Sequence, residues 1–246
     1  MADWNDTRQQ TGFSSVPRAG DAVARRATYD MGLRAHMLKI YNYMTSGVLL
    51  TGIVALVAAN SGFTASMAGS PLMWLIVLSP LAIVFAMSFG ANRFSTTTLQ
   101  AMFWGFATLM GLSLSTVFLV YTGESIAATF FATAGAFAGL SLYGYTTKKD
   151  LSGFGTFLVM GVVGLLIAMV LNIFLQSSAL GLAISFLGVL IFAGLTAYDT
   201  QRLKEQYAML RGSDFAGKAV VLGALTLYLD FINMFQFLLS FMGNRE

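Results

Sequence analysis

A chain of 246 residues in which 57% are hydrophobic and 10% charged carries too much apolar surface for a water-soluble domain, where the charged share is nearer about 25%. No cysteine is present, which excludes a disulfide framework and thiol chemistry. The pI near 9.2 invites a nucleic-acid reading, but the placement of the basic residues explains it better, and no nucleic-acid partner is expected.

Residues 1–38 are polar and of mixed charge, with Asp3, Asp6, Arg8, Arg18, Asp21, Arg25, Arg26 and Asp30. A secretory signal would run directly from a short basic start into an apolar stretch. This segment does not, so it reads as a cytoplasmic tail, disordered over residues 12–20, with residues 22–39 forming a helix on the membrane surface. Residues 39–246 read as the transmembrane domain, in seven apolar stretches each near the length of about 18–20 residues that crosses about 30 Å of hydrocarbon. They fall at 40–59, 71–89, 98–121, 125–145, 154–175, 179–198 and 219–241. The fold class is therefore an all-α polytopic membrane protein.

Orientation follows from Lys and Arg in the short connections. The tail holds Arg8, Arg18, Arg25, Arg26, Arg34 and Lys39. Arg93 follows the second span, Lys148 and Lys149 the fourth, and Arg202, Lys204, Arg211 and Lys218 the sixth. The alternate connections, 60–70, 122–124 and 176–178, hold none, so 13 of 14 basic residues share one side and only Arg245 falls on the other. Seven spans with a cytoplasmic N-terminus account for this pattern. A basic face toward anionic lipid headgroups is a secondary consequence. Small residues recur inside the spans. Gly135 and Gly139 form a GxxxG pair, and Ala107, Gly111 and Ser115 repeat at helical spacing. Both read as sites of close helix packing.

Ionisable residues inside a membrane are costly, so they are the first place to look for function. Asp230 lies in the middle of the seventh span, and Thr226, Asp230 and Asn233 share one helical face, with Ser240 close to that stripe. Such a face belongs in a bundle interior or a wet cavity. Asp199 lies at the cytoplasmic end of the sixth span, between Thr196 and Arg202. A boundary carboxylate paired with Arg202 accounts for Asp199 without a function, and a neutral acid hydrogen-bonded across helices accounts for Asp230. As a functional pair the two admit three chemistries. They can share a proton, because two close carboxylates do not readily both ionise. They can coordinate a cation such as calcium. They can activate water, as in an intramembrane aspartyl protease. The Tyr198-Asp199 pair fits the protease pattern, but Leu227-Tyr228-Leu229 stands where that pattern needs Gly-x-Gly before Asp230. The lone His36 precedes the first span, which removes a serine protease of the membrane, and the seventh span has no lysine for retinal.

The segment Phe192-Ala193-Gly194-Leu195-Thr196-Ala197-Tyr198-Asp199-Thr200-Gln201, followed by Ala224-Leu225-Thr226-Leu227-Tyr228-Leu229-Asp230-Phe231-Ile232-Asn233-Met234-Phe235, resembles the C-terminal signature of the Bax inhibitor-1 family. Met110-Gly111-Leu112-Ser113-Leu114-Ser115 and Thr146-Thr147-Lys148-Lys149-Asp150-Leu151-Ser152 also fit that family. The resemblance runs from about Arg34 to the end and looks like the bacterial branch, which implies an inner membrane. It implies seven helices with the last one central, no enzyme activity, no cofactor, and a pH-sensitive leak for calcium or other cations. It maps a two-aspartate pH sensor and possible calcium ligands onto Asp199 and Asp230, and a pore latch onto Arg93, with Thr196, Thr226 and Asn233 as the supporting polar face. Arg93 near the cytoplasmic mouth also reads as an ion partner for Asp199, or as an anchor in the headgroups. Calcium-leak relatives often carry a glutamate in the second span, and residues 71–89 here hold no acid, so the cation path is less acidic than the resemblance implies. The alternative it leaves is a non-conducting membrane modulator that binds a membrane-bound protease.

The sequence leaves one geometric tension. If the sixth span ends near Asp199, then Asp230, about 12 residues into the seventh, lies about 18 Å deeper at 1.5 Å per residue. The two acids meet only if the seventh span starts late, for which Gly223 is a marker, or if Asp199 is drawn inward.

Overall fold

The computed structural model describes residues 19–67 and 69–244. It is helical throughout, with no strand among the described residues. The helices are α1 (Ala19–Asn60), α2 (Phe63–Met67), α3 (Pro71–Gly90), α4 (Thr96–Leu114), α5 (Gly123–Thr146), α6 (Ser152–Leu175), α7 (Ser178–Leu210) and α8 (Ala216–Met242), with a 3-10 turn Ser115–Leu119 extending α4. Seven are long and apolar enough to cross a bilayer, as the hydropathy pattern predicts. The short α2, absent from the sequence reading, folds back against the extension of α4, where Thr64 donates a 2.8 Å hydrogen bond to Ser115.

One expectation at the start of the chain changes. Residues 12–18 of the expected disordered stretch lie outside the described residues, whereas Ala19 and Gly20 already belong to α1. Residues 22–39 are helical as expected, as part of α1, which is assigned over Ala19–Asn60. The segment up to Ala35 is a unit by itself, and the bundle begins at His36. His36 is inside α1 and lies 5.2 Å, ring to ring, from Tyr207 of α7.

The last helix is the centre of the bundle. About two thirds of the α8 span is buried (67%), against 11–33% for the other six, which present leucines, valines and phenylalanines outward. That contrast explains how α8, about as apolar as α1, α4 and α5, can carry Thr226, Asp230 and Asn233 in its middle: its neighbours are other helices. Tyr228, fully buried on α8, reaches α1 through a 2.6 Å hydrogen bond to Thr51, whose hydroxyl donates onward to the Ala107 carbonyl of α4 at 2.8 Å. Tyr228 is then the donor to Thr51. Removing its hydroxyl leaves Thr51 still donating to α4, whereas removing the Thr51 hydroxyl orphans the buried Tyr228 hydroxyl, the Ala107 carbonyl keeping its helical bond. Hydrogen bonds between membrane helices contribute about 0.6 kcal/mol on average, and an orphaned buried group costs about 1–3 kcal/mol. Thr51→Val is therefore expected to lower the unfolding midpoint in detergent more than Tyr228→Phe does, and equal losses would rule out this relay.

The two small-residue motifs part company. Ala107, Gly111 and Ser115 are all buried, and a Cβ on Gly111 would fall 2.7 Å from the Thr51 carbonyl oxygen of α1. Gly135 and Gly139 have nothing within 4 Å of where a Cβ would stand, so this GxxxG pair packs against no helix among the described residues. The close approach on α5 is made instead by Gly144, where an added Cβ would lie 2.1 Å from the Ala197 carbonyl oxygen of α7.

Connections that sequence placed on one side do meet at one end. Lys218 at the start of α8 donates to the carbonyls of Ala91 and Asn92 beyond α3, at 3.2 and 3.4 Å. Lys204 of α7 donates to the Tyr145 carbonyl in the last turn of α5 at 2.7 Å. A cation at a helix C-terminus answers the negative end of the helix dipole. At the opposite end Thr122 donates its amide to the Asn244 carbonyl, and Asn244 donates its own to the Ser125 hydroxyl. These two ends are called below the basic end and the opposite end.

Candidate functional site

The depth of Asp199 resolves the geometric tension. Helix α7 does not stop at residue 198 but continues to Leu210, and α8 begins at Ala216 rather than near Gly223. Asp199 is thus 11 residues before the end of α7 and Asp230 is 14 residues after the start of α8. At 1.5 Å per residue these are depths of about 17 and about 21 Å from the shared turn, so the antiparallel pair brings the two acids level. The sixth apolar stretch looked shorter because Asp199, Gln201, Arg202, Lys204 and Glu205 end the hydropathy, not the helix.

The two carboxyl groups are in hydrogen-bonding contact, and both residues are buried, at 7% and 4% exposure. A carboxyl donates a hydrogen bond only when it holds a proton, so this contact needs one proton on the pair. Asp230 Oδ2 is buried with no N–H or hydroxyl donor among the described residues. Thr196, fully buried a turn before Asp199, gives its hydroxyl to the Phe192 carbonyl of its own helix at 2.8 Å. Thr226 does the same with Leu222 at 3.1 Å. The supporting polar face is therefore self-satisfied at both threonines and adds no ligand to the acids.

Two cavities flank the pair. One, of about 370 Å³, lies toward the basic end and is lined by Asp199, Arg202, Gln206, Phe215, Gly223 and Thr226 among others. The other, of about 480 Å³, lies toward the opposite end between α6, α7 and α8, and takes in Asn172, Ser185, Asn233, Gln236 and Ser240. Thr226 and Asn233, one turn to either side of Asp230, thus face different cavities, and Asp230 lines neither. The acid pair is the partition between them.

The charge facing Asp199 is Arg202, whose guanidinium is 3.8 Å from Asp199 Oδ1. Arg202 is largely exposed, so this pair adds little stability. The structure does not bring Arg93 to Asp199: Arg93 is exposed in the turn after α3, next to the carbonyls that Lys218 holds. Nor is a third metal-binding side chain present, since no group of three or more acids, histidines or cysteines occurs among the described residues.

Sequence reasoning missed Gln201. It is buried at the basic end, where its amide nitrogen donates to the Lys149 carbonyl at 2.7 Å and its oxygen accepts from the Leu151 amide at 2.9 Å. It fastens the α5–α6 connection two residues from Asp199. In the same connection, hydrogen bonds from the hydroxyl and amide of Ser152 hold the exposed Asp150 carboxyl below its ordinary range. The 146–152 and 192–201 segments each stand out in the sequence, but nothing in either says that they touch, so no sequence signal points to this contact.

A seven-span helical bundle built around its last helix, with two buried aspartates in contact on α7 and α8, defines a polytopic membrane protein with an intramembrane acid pair. The family described as inhibitor of apoptosis-promoting Bax1 matches residues 33–246, and the chain belongs to this Bax inhibitor-1 family. It is 50% identical to a protein of Caulobacter vibrioides over 88% of this chain and 92% of the relative. It is 45% identical to the inner membrane protein YbhL of Escherichia coli over 94% and 98%, and 43% identical to a Rickettsia prowazekii protein over 91% and 95%. The family is a membrane family and not a known enzyme family.

Proposed function

We propose that the chain is a proton-gated leak for cations, calcium among them, in the bacterial inner membrane, with Asp199 and Asp230 as the titrating pair. The observation that supports this reading is the direct contact of two buried carboxyls at the partition between two cavities. With one proton shared, α7 and α8 are tied together. Without it, two like charges stand in contact in a poorly screened interior and repel. The parting carboxylates then offer oxygens to a hard cation. Calcium takes roughly six to eight oxygen ligands, far more than two carboxyls give, so water supplies the rest and the ion passes rather than stays. The gate opens as pH rises. The test is calcium flux into liposomes holding the purified protein, at several pH values. Flux equal to that of empty liposomes at every pH would overturn the leak and leave the non-conducting modulator. The contact of two acids suits a protease dyad equally well, but Leu227-Tyr228-Leu229 stands where that pattern needs Gly-x-Gly, and fully buried Leu227 and Tyr228 leave no glycine-lined approach for a peptide.

The orientation belongs to the same reading. Tail, Arg93, Lys148, Lys149 and the α7–α8 connection face the cytoplasm by the basic-residue rule, which puts the C-terminus outside. A reporter fused after Glu246 is expected to be active only in its periplasmic form. A cytoplasmic signal would reverse the assignment of both cavities.

A further inference from the structure

We infer that the cavity between α6, α7 and α8 is a water-filled vestibule, open at the opposite end of the bundle, that carries water and hydrated cations to within one helical turn of Asp230. The inference deepens the leak reading and rests on it for the word cation, but its test does not need flux.

The cavity gathers five polar side chains within an otherwise apolar lining. Asn172 lies near the end of α6, Ser185 two turns into α7, and Asn233, Gln236 and Ser240 along the last turns of α8. Ser185 and Ser240 join α7 to α8 at 3.0 Å, and Ser185 also donates to the Gly181 carbonyl at 2.9 Å. Asn172 uses its oxygen to accept from the Ser177 amide at 3.1 Å. The side-chain amides of Asn233 and Gln236 have no hydrogen-bond partner among the described residues, and both residues are half-buried. An amide left unpaired in hydrocarbon costs several kcal/mol, so a bundle that keeps two in one cavity must supply them with partners. Neither protein nor lipid tails do so, and a cavity of about 480 Å³ holds several waters.

The position of these groups gives a path. Ser240 is ten residues from Asp230, Gln236 six and Asn233 three, which is about 15, 9 and 4.5 Å along the α8 axis. The ladder therefore rises from near the helix end to the acid pair. Its rungs are amides and hydroxyls with no charge, so the vestibule can replace part of a hydration shell without trapping the ion. Phe192 and Phe237 stack across it, 5.8 Å between ring centres, and a Cβ on Gly188 would fall 2.4 Å from the Phe237 ring, so that glycine makes the seat for this ring. Neutral oxygens on this side and Arg202 with Asp199 on the other make the two entrances chemically unlike.

The chain has no cysteine, so single thiols report without background. Gln236→Cys, Ser240→Cys and Asn233→Cys would each be placed in liposomes and treated with a membrane-impermeant, charged thiosulfonate. Asn244→Cys at the chain end serves as the water-exposed reference and Val170→Cys, on the outer surface of α6, as the lipid-facing one. The thiolate is the reacting species and forms only in water, so cysteines at 236 and 240 are expected to react within about tenfold of Asn244→Cys and on the order of a hundredfold faster than Val170→Cys. Asn233→Cys should react more slowly but still above the lipid-facing reference. Rates at 236 and 240 no faster than at 170 would overturn the vestibule, whatever the flux. So would a disulfide-linked dimer of Gln236→Cys, which would put a second copy where water is inferred. Reactive thiols in a protein that carries no calcium would instead keep the vestibule and remove the leak.

Discussion

Asp230→Asn is expected to insert and fold like the parent protein while its calcium flux becomes flat in pH. The substitution keeps the shape of the side chain and its place against Asp199. It also supplies N–H donors, so the contact with the Asp199 carboxylate is made without a shared proton. In the proposed leak the proton favours the closed pair, and its loss would leave two touching carboxylates in the bundle centre. Flux should therefore rise with pH, and a gate governed by one proton changes by up to about tenfold per pH unit. In the variant the change over the same pH range should stay below about twofold, since no proton is taken up at the pair. Asp199→Asn is the useful companion, because it leaves Arg202 without its 3.8 Å partner and so disturbs the basic-end mouth as well. A variant that keeps the parent pH profile, whatever its absolute rate, would make Asp230 a structural hydrogen-bonding residue and move the gate elsewhere.

Hydropathy and the count of basic residues made the membrane fold legible, because the bilayer imposes span length and side-preference on sequence directly. The acids stood out for the same reason: Asp230 interrupts an apolar helix. What sequence did not show was depth and direction. Asp199 looked like a boundary residue because the polar run 199–206 reads as the end of a span, whereas that run is the buried and basic-end part of a helix packed among others. The stripe Thr226, Asp230 and Asn233 was read as one face toward one space, and the structure divides it between two cavities. A period of 3.6 places residues on a face, but it does not say where neighbouring helices close that face off. Its place near the cytoplasmic mouth drew Arg93 to Asp199, while the ion pair in the structure is local, from Arg202 one turn away. Gly135 and Gly139 illustrate the same limit. Their spacing permits close approach of helices, but a motif cannot name the helix that approaches, and none among the described residues does.

Gly144→Ala is expected to damage the bundle far more than Gly135→Ala, although both add one methyl group to α5. At Gly144 the new carbon would sit 2.1 Å from the Ala197 carbonyl oxygen, well inside any contact distance. The obstacle is backbone in the middle of α7, so no side-chain rotamer can relieve it, and the two helices must part. Overfilling a packed site costs typically about 1–3 kcal/mol when side chains can adjust, and a backbone clash should fall at or above the top of that range. The interface it opens includes the buried contacts from Tyr41 through Ser141 to Thr200, at 2.6 and 3.0 Å, and the Lys204 cap on α5. Ala197 is two residues before Asp199, so the displacement also moves the acid away from Asp230, and any flux that survives should lose its dependence on pH. Gly135 meets nothing within 4 Å, so an alanine there is expected to leave the unfolding midpoint in detergent unchanged or slightly higher. Equal midpoints for the two variants would mean that α5 and α7 do not cross at Gly144, and the depth assigned to Asp199 would fall with that crossing.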